Sequence, residues 1–310
     1  MNKLRVLDLF CGAGGLSLGF KKAGFQVTGV DILEDAGQTY RLNMKNDGKF
    51  IQADLSREIM DGQYDIIIGG PPCKPWSSVN TVKRGKVHRD YELLSRFFDH
   101  VEYHLPRIFI LENVPPVAND ETLSKHIKRL VKLGYSVSGR IIAYSEYGAP
   151  TRRRRFILFG TRESDAYVFF DMLSSHLQPA KTVRDAIWKL RDRERGEVAD
   201  HVWPELRTIP KYMEKYEHGK FGWYILKWDE PAPSFGNVMK TYILHPDALN
   251  GNGKPSRVIS VKEASLIMGF DTNFIFPENV GLGLKYQMIA DAVSPVFSYV
   301  AAKTIKQMLF

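Results

Sequence analysis

Residues 4–15 read Leu4-Arg-Val-Leu-Asp-Leu-Phe-Cys-Gly-Ala-Gly-Gly15. The first seven are an apolar run of strand length, and a glycine-rich loop follows. Residues 16–23 then repeat apolar side chains at helical spacing. A strand, a glycine loop and a helix in that order form the opening of a nucleotide-type α/β unit. The glycines let backbone approach a ligand, and the helix N-terminus offers unpaired N–H groups. The loop is not the dinucleotide fingerprint, because Ser17 stands where its third glycine belongs.

Working outward, the same alternation continues to about residue 160. Strands are predicted over 26–30, 50–53, 65–69, 108–111, 136–144 and 155–160. Helices are predicted over 91–105, which carries Leu94, Phe97, Phe98 and Val101, and over 123–133. Near-continuous apolar strands between helices predict a mostly parallel sheet covered on both faces. From 162 to 255 the alternation stops, and Trp188, Trp203, Trp223 and Trp228 sit among Tyr, Pro, Lys and Arg. The expected domains are therefore 1–161, a smaller irregular domain at 162–255, and a segment at 256–310 that returns to the first. Ser260-Val-Lys-Glu263 fits a capping box ahead of a helix to about 268, and 293–309 reads as a final helix.

The chain has 310 residues, 44% hydrophobic and 25% charged, which excludes disorder as its main state. No apolar run approaches the roughly 18 residues that cross a bilayer. An acid at position 8 breaks what would be a signal peptide, so no membrane association and a cytoplasmic location are expected. Two cysteines, Cys11 and Cys73, are too few for a disulfide framework or a zinc site, and no metal is expected. The formal net charge of +8 is compatible with a polyanionic partner. Basic and acidic residues nearly balance over 162–255, so the excess lies in the rest of the chain. Lys74, Lys83, Arg84, Lys86 and Arg89 are the candidates for phosphate contact.

Several strand ends carry candidate chemistry. Asp31 ends the second strand and Asp54 the third, where carboxylates can accept bonds from ribose hydroxyls. A glycine turn with solvated acids would look the same at any one of these positions, but agreement at three strand ends favours a site for an adenosine moiety. Gly69-Gly-Pro-Pro-Cys-Lys-Pro-Trp76 follows the fourth strand. Its rigid prolines hold Cys73 in the crevice where such sheets bind ligands, as a nucleophile if the thiolate is favoured. A small buried hydrophobe is the alternative, and it suits Cys11. Glu112 ends the fifth strand, either as a proton donor in the same crevice or as a turn-stabilising acid. Thr151-Arg-Arg-Arg-Arg155 enters the last strand, so Arg153 and Arg155 share one face while Arg152 and Arg154 share the other.

Together these residues resemble the DNA cytosine-5 methyltransferases nearly end to end. Asp8-Leu-Phe-Cys-Gly-Ala-Gly-Gly15 is similar to the family's cofactor loop, Pro71-Pro72-Cys73 to its nucleophile motif and Glu112-Asn113-Val114 to its acid motif. Tyr147 to Arg155, Arg257 to Glu263 and Ala290-Asp-Ala-Val293 fall where three further motifs belong, in order. The resemblance implies a Rossmann-like sheet of the S-adenosylmethionine-dependent type, with residues 162–255 as target-recognition domain. It implies Cys73, Glu112, Arg153 and Arg155 as the catalytic set. It also implies Phe10, Gly12, Ala13, Gly14, Asp31, Ile32, Asp54, Leu55, Pro72, Leu93, Asp291 and Val293 around the cofactor S-adenosyl-L-methionine. The implied partner is double-stranded DNA, and a monomer with a separately acting restriction endonuclease is expected.

Five positions depart from the family's usual residues: Lys74 for Gln, Trp76 for Phe, Thr151 for Gln, Lys262 for Arg and Asp291 for Asn. A tRNA cytosine-5 methyltransferase is the first alternative, disfavoured by the long aromatic-rich segment and the absence of Cys-Phe-Thr after the acid motif. A catalytically silent DNA-binding module is disfavoured by retention of Cys73, Glu112 and the arginines. A nicotinamide-dependent oxidoreductase is disfavoured by Ser17.

Overall fold

A computed structural model describes residues 3–45, 48–76, 88–205, 209–218, 222–241, 243–248 and 256–310. The elements that build the sheet and its cover are β1 (Arg5–Leu9), α1 (Gly15–Lys22), β2 (Gln26–Asp31), α2 (Glu34–Met44), β3 (Gly48–Gln52), β4 (Ile66–Gly69), α3 (Leu93–His104), β5 (Ile108–Asn113), α4 (Glu121–Lys132), β6 (Ser136–Ala143), β7 (Arg154–Thr161) and α5 (Ala166–Ser174). Short helices follow at α6 (Val183–Ile187), α7 (Met213–Glu217) and α8 (Val238–Thr241). The chain closes with α9 (Val261–Met268), α10 (Leu282–Asp291) and α11 (Pro295–Leu309).

Seven strands, among the described residues, form one sheet in the order β3-β2-β1-β4-β5-β7-β6. The pairs from β3 through β5 are parallel, and β7 runs antiparallel to both β5 and β6. The chain steps outward from β1 to β3, then restarts at β4 on the other side of β1. That reversal opens a crevice at the carboxyl ends of β1 and β4, where open α/β sheets bind ligands. The glycine loop leaves β1 there, and the proline-cysteine segment leaves β4 beside it.

Strand alternation assigns the two faces. Val6, Ile66, Ile68, Ile108, Ile110 and Phe159 pack beneath α1, α5 and α11. Leu7, Leu9, Ile67, Phe109 and Leu111 pack beneath α3 and its Phe97 and Phe98. A further apolar cluster joins Val183, Ile187, Phe235 and Ile243 to α9 and α10. Residues 256–290 therefore share a core with the irregular segment, whereas α5 lies on the sheet. The last helix closes against the first. A Cβ on Gly19 would stand 2.3 Å from the Tyr299 nitrogen, and one on Gly15 would stand 2.4 Å from the Val293 oxygen. Only glycine permits this backbone contact, which seats Val293 beside the cofactor loop.

Three helices of nine or more residues were not anticipated: α2, α5 and α10. In α2 the buried set is Ala36, Gly37, Thr39, Tyr40 and Met44, so small and polar residues replace the usual apolar stripe. Gly37 is small because the Phe50 ring lies over it, and an added Cβ would come 2.3 Å from that ring. In α10 the buried face includes Lys285 and Tyr286, which a hydrophobic pattern does not register. The final helix starts at Pro295 rather than 293, because Pro occupies its first turn and Ser294 is the N-cap.

Candidate active site

The loop after β1 turns through left-handed backbone at Phe10 (φ 59°), Gly12 (φ 52°) and Gly14 (φ 90°). Its shape is held by Asp31. One carboxylate oxygen accepts the Gly12 N–H at 2.9 Å, and the other accepts the Leu33 N–H at 3.0 Å. A Cβ on Gly12 would meet nothing within 4 Å, so the loop faces open space there. Burial pushes the Asp31 carboxyl up, the N–H groups of Leu33, Gly12 and Ile32 oppose this, and Asp291 adds to it. Ile32 is 57% exposed at the strand end, an apolar side chain left for a ligand to cover. The Ala53 N–H donates to the Asp31 carbonyl, which sets Asp54 beside Asp31. Asp54 is held by its own turn, accepting from the Ser56 N–H at 3.0 Å and the Ser56 hydroxyl at 2.6 Å. Leu55 and Ala13 are buried, while Leu93 and Pro72 are half-buried. These residues fit an adenosine-bearing group: a cradle without side chains, a carboxylate pair and an uncovered apolar surface.

Beneath the loop, Asp8 is buried and accepts the Ser17 hydroxyl at 2.5 Å, and the Tyr40 hydroxyl donates to Ser17 at 3.0 Å. Oδ1 of Asp8 has no partner among the described residues. Burial pushes the Asp8 carboxyl up to about 7; Ser17 opposes this and Asp31 adds to it. Between about pH 4 and 7 the folded chain thus holds a proton that the unfolded chain has released. Stability from this group is fully present below about pH 4 and is lost as pH rises through 7. Asp8→Asn is expected to remove that loss, raising stability at pH 8 by on the order of 2–4 kcal/mol while changing little at pH 4. Urea midpoints at the two pH values measure it, and parallel curves for both proteins would defeat the assignment.

The other half of the crevice lies on β4, β5 and β7. Glu112 is buried and one of its oxygens makes both contacts: it accepts the Tyr144 hydroxyl at 3.0 Å and forms an ion pair with Arg155, whose Nε lies 2.8 Å away. The other oxygen lies beside Gly70, where an added Cβ would come within 3.1 Å of it. Arg153 and Arg155 are buried while Arg152 and Arg154 are exposed, as strand alternation requires. The Arg153 guanidinium donates to the carbonyls of Phe235 and Ala290, tying β7 to α10. Burial, and then Arg155, brings the Arg153 guanidinium down to about 10. Burial likewise pushes the Cys73 thiol up. Arg155 and Arg153 oppose that rise, and Asp291 and Glu112 add to it. Cys73 therefore shares one electrostatic neighbourhood with Glu112, both buried arginines and Asp291. Asp291 in turn acts on Asp31.

Two anchors hold the segment that carries Cys73. Asn113 Nδ2 donates to the Pro71 carbonyl at 3.0 Å. On the far side, the Trp76 N–H closes a turn onto the Cys73 carbonyl at 3.0 Å, and its indole N–H donates to Asp120 at 2.7 Å. The Tyr91 hydroxyl donates to the same carboxylate at 2.9 Å, and Asp120 also caps α4 by accepting the Thr122 N–H at 2.8 Å. Sequence reasoning missed Tyr144, Tyr91 and Asp120. Asp120 was visible as an N-cap signature, but its second task depends on the chain folding back. Trp76, at the usual Phe position, supplies an N–H that a phenyl ring lacks.

Two of the other departures are buried, and of these Thr151 has a hydroxyl oxygen with no hydrogen-bond partner among the described residues. Thr151 is buried, and its neighbours pair with the chain at Ala232 through the Arg152 N–H at 2.8 Å and the Pro150 carbonyl at 2.9 Å. The Lys262 ammonium donates to the carbonyls of Thr272 at 2.6 Å and Phe274 at 2.8 Å. Lys74 and Arg89 are exposed; Lys83, Arg84 and Lys86 lie outside the described residues.

A cysteine, a buried carboxylate and paired arginines facing a glycine loop across a sheet crevice define a group-transfer enzyme. The sequence profile of the C-5 cytosine-specific DNA methylases matches residues 4–307. The chain belongs to that family and is a DNA cytosine-5 methyltransferase. It is 31% identical to the type II methyltransferase M.MthTI of Methanothermobacter thermautotrophicus over 98% of this chain and 97% of that protein. It is 28% identical to the type II methyltransferase M.FnuDI of Fusobacterium nucleatum, over 99% and 95%. Among solved structures, a protein described as a DNA modification methyltransferase encoded within an E. coli prophage superposes with a TM-score of 0.75. The two are 25% identical, and 99% of each chain is covered. No helix among the described residues is long and apolar enough to cross a membrane.

Proposed function

We propose that this enzyme transfers a methyl group from S-adenosylmethionine to C5 of a cytosine flipped out of a specific duplex DNA sequence. The reaction passes through a covalent bond between Cys73 and C6 of the base. S-adenosylmethionine supplies an electrophilic methyl group on a positively charged sulfur. Phe10, Asp31, Ile32, Asp54, Leu55 and the backbone at 12–14 bind its adenosine end, and Pro72, Leu93, Asp291 and Val293 complete the pocket. Glu112 bonds or protonates N3 of the cytosine, which makes C6 electrophilic. Arg155 bonds the cytosine O2 and Arg153 orders the site; after methyl transfer a base takes the C5 proton, its C–H electron pair re-forms the C5–C6 double bond, and Cys73 leaves C6 as the thiolate. The observation that carries this reading is the Glu112–Arg155 pair at 2.8 Å, buried in the crevice that also receives Cys73.

Within residues 162–255, the part that follows α5, which lies on the sheet, forms the target-recognition domain. Side chains among its aromatics read base edges, and backbone contacts set position. The type II names of the relatives support a restriction–modification setting, with a cytoplasmic monomer and a separate endonuclease cutting the same sequence.

The test is incubation with labelled S-adenosylmethionine and duplex DNA, followed by bisulfite sequencing. Label fixed at one cytosine context supports the reading, and label on tRNA but not DNA overturns it. Arg155→Ala is expected to lower turnover by about 10²–10³-fold with duplex affinity within a few-fold, because its partner is the extruded base. Equal losses of turnover and affinity would point to phosphate contact instead.

A further inference from the structure

Asp291 is the last residue of α10 and is exposed. The carbonyl end of a helix carries partial negative charge, so a carboxylate there is electrostatically misplaced unless a cation answers it. Its orientation is nonetheless fixed. Gln287 donates to one of its oxygens at 2.8 Å, and Asn237 holds Gln287 by donating to its carbonyl oxygen at 3.1 Å. Ala292 and Val293, the next two residues, press against Gly15 at the start of α1. On its other side the Ala290 carbonyl accepts Arg153, so Asp291 lies in the chain between a contact with the glycine loop and a contact with the buried arginine. Among the described residues, no Lys or Arg side chain pairs with Asp31 or Asp291. The buried arginines of the site, Arg153 and Arg155, donate to the carbonyls of Phe235, Ala290 and Arg154, Arg155 pairs with Glu112, and Arg153 Nε has no partner among the described residues. The negative charge of Asp291 raises both Asp31 and the Cys73 thiol, so it acts on both walls of the same space. An acidic residue held in place, at the wrong end of a helix and without a protein counter-charge, is suited to a cationic occupant.

We infer that Asp291 selects the methyl-charged cofactor over the spent one, by pairing its carboxylate with the positive charge that only the charged form carries. The inference rests on the S-adenosylmethionine reading above. S-adenosylmethionine and S-adenosylhomocysteine differ by one methyl group and one positive charge on sulfur. Contacts to adenine, ribose and the amino-acid tail are common to both and cancel in the ratio of their affinities. A neutral Asn can orient a ligand at this position but cannot favour the sulfonium form by charge. With Asp291, release of the uncharged product follows from the transfer itself, because the attraction disappears with the methyl group.

The experiment is calorimetric titration of each compound, without DNA, into the full-length protein and into Asp291→Asn and Asp291→Glu. For Asp291→Asn the S-adenosylmethionine affinity is expected to fall about three- to tenfold, the size of one partly screened charge pair. S-adenosylhomocysteine affinity should stay within twofold. Asp291→Glu keeps the charge and should keep most of the preference. The drop should shrink in high salt. Equal affinity ratios in wild type and Asp291→Asn would overturn the inference and leave the cofactor reading standing. Failure of the folded wild type to bind either compound would overturn both.

Discussion

Cys73→Ala is expected to reduce methyl transfer to background, a loss of at least about 10⁴-fold, with duplex DNA bound within a few-fold of wild type. The size follows from the chemistry. C5 of cytosine is not nucleophilic enough to take a methyl group until addition at C6 makes it so, and no neighbouring side chain can replace the thiol. The neighbouring groups are Glu112, whose bonded oxygen faces Tyr144 and Arg155, and two arginines that carry no free electron pair. Burial holds the thiol protonated, so the thiolate must form as the substrate arrives. Arg155 and Arg153 are the groups that favour it, and Glu112 and Asp291 oppose it. Rate should therefore rise with pH as the thiolate becomes accessible. Labelled cofactor with duplex DNA measures the transfer, and a filter or shift assay measures binding. Transfer at near wild-type rate by Cys73→Ala would end the covalent mechanism.

Much of this site was legible because its residues sit at strand ends, and strand ends follow from pattern. β1 and β4 are continuous apolar runs, so the loops after them fell in the crevice once the sheet order was fixed. The split among the four arginines followed from a period of two and needed no tertiary knowledge. What escaped was carried by residues whose partners are distant in sequence. Tyr144 reaches Glu112 from the turn after β6, and Asp120 meets Trp76 and Tyr91 only when α3 and α4 lie side by side. The α2 helix escaped for a related reason. Gly37 and Thr39 are unfavourable helix residues in isolation, yet Phe50 and the sheet supply the burial that propensity lacks. The irregular segment offered aromatic composition without period, and its core is completed by α9 and α10 from beyond its end.

Glu263→Ala is expected to cost about 3–5 kcal/mol of unfolding free energy, because it leaves a buried guanidinium unpaired. Glu263 is fully buried in the first turn of α9. Arg257 donates to both of its oxygens, at 2.7 and 2.8 Å, and the Ser260 N–H donates at 2.7 Å. The Ser260 hydroxyl returns a cap by accepting the Glu263 N–H at 3.0 Å. Arg257 also lies 4.4 Å over the Trp203 ring, and His201 meets the Ser260 hydroxyl at 3.0 Å, so the knot ties α9 to the irregular segment. Burial alone would push the Glu263 carboxyl up, but Arg257 above all, together with the Ser260 N–H, brings it below the ordinary range. His245 does not share the charge. Burial brings it down to about 4, and its Nε2 stands 3.6 Å from the carboxylate, too far to bond. Among the described residues Arg257 is thus the sole charged partner of Glu263, and deleting the carboxylate strands it. Glu263→Gln keeps the shape and an acceptor for Ser260 and should lose less. The stabilising contribution is present above the ordinary carboxylate range and lost as pH falls through the depressed value. Wild type and variant should therefore converge in acid and separate at pH 7. Denaturant midpoints at both pH values decide it, and a difference under 1 kcal/mol at pH 7 would mean that the capping contacts, not the ion pair, hold α9 in place.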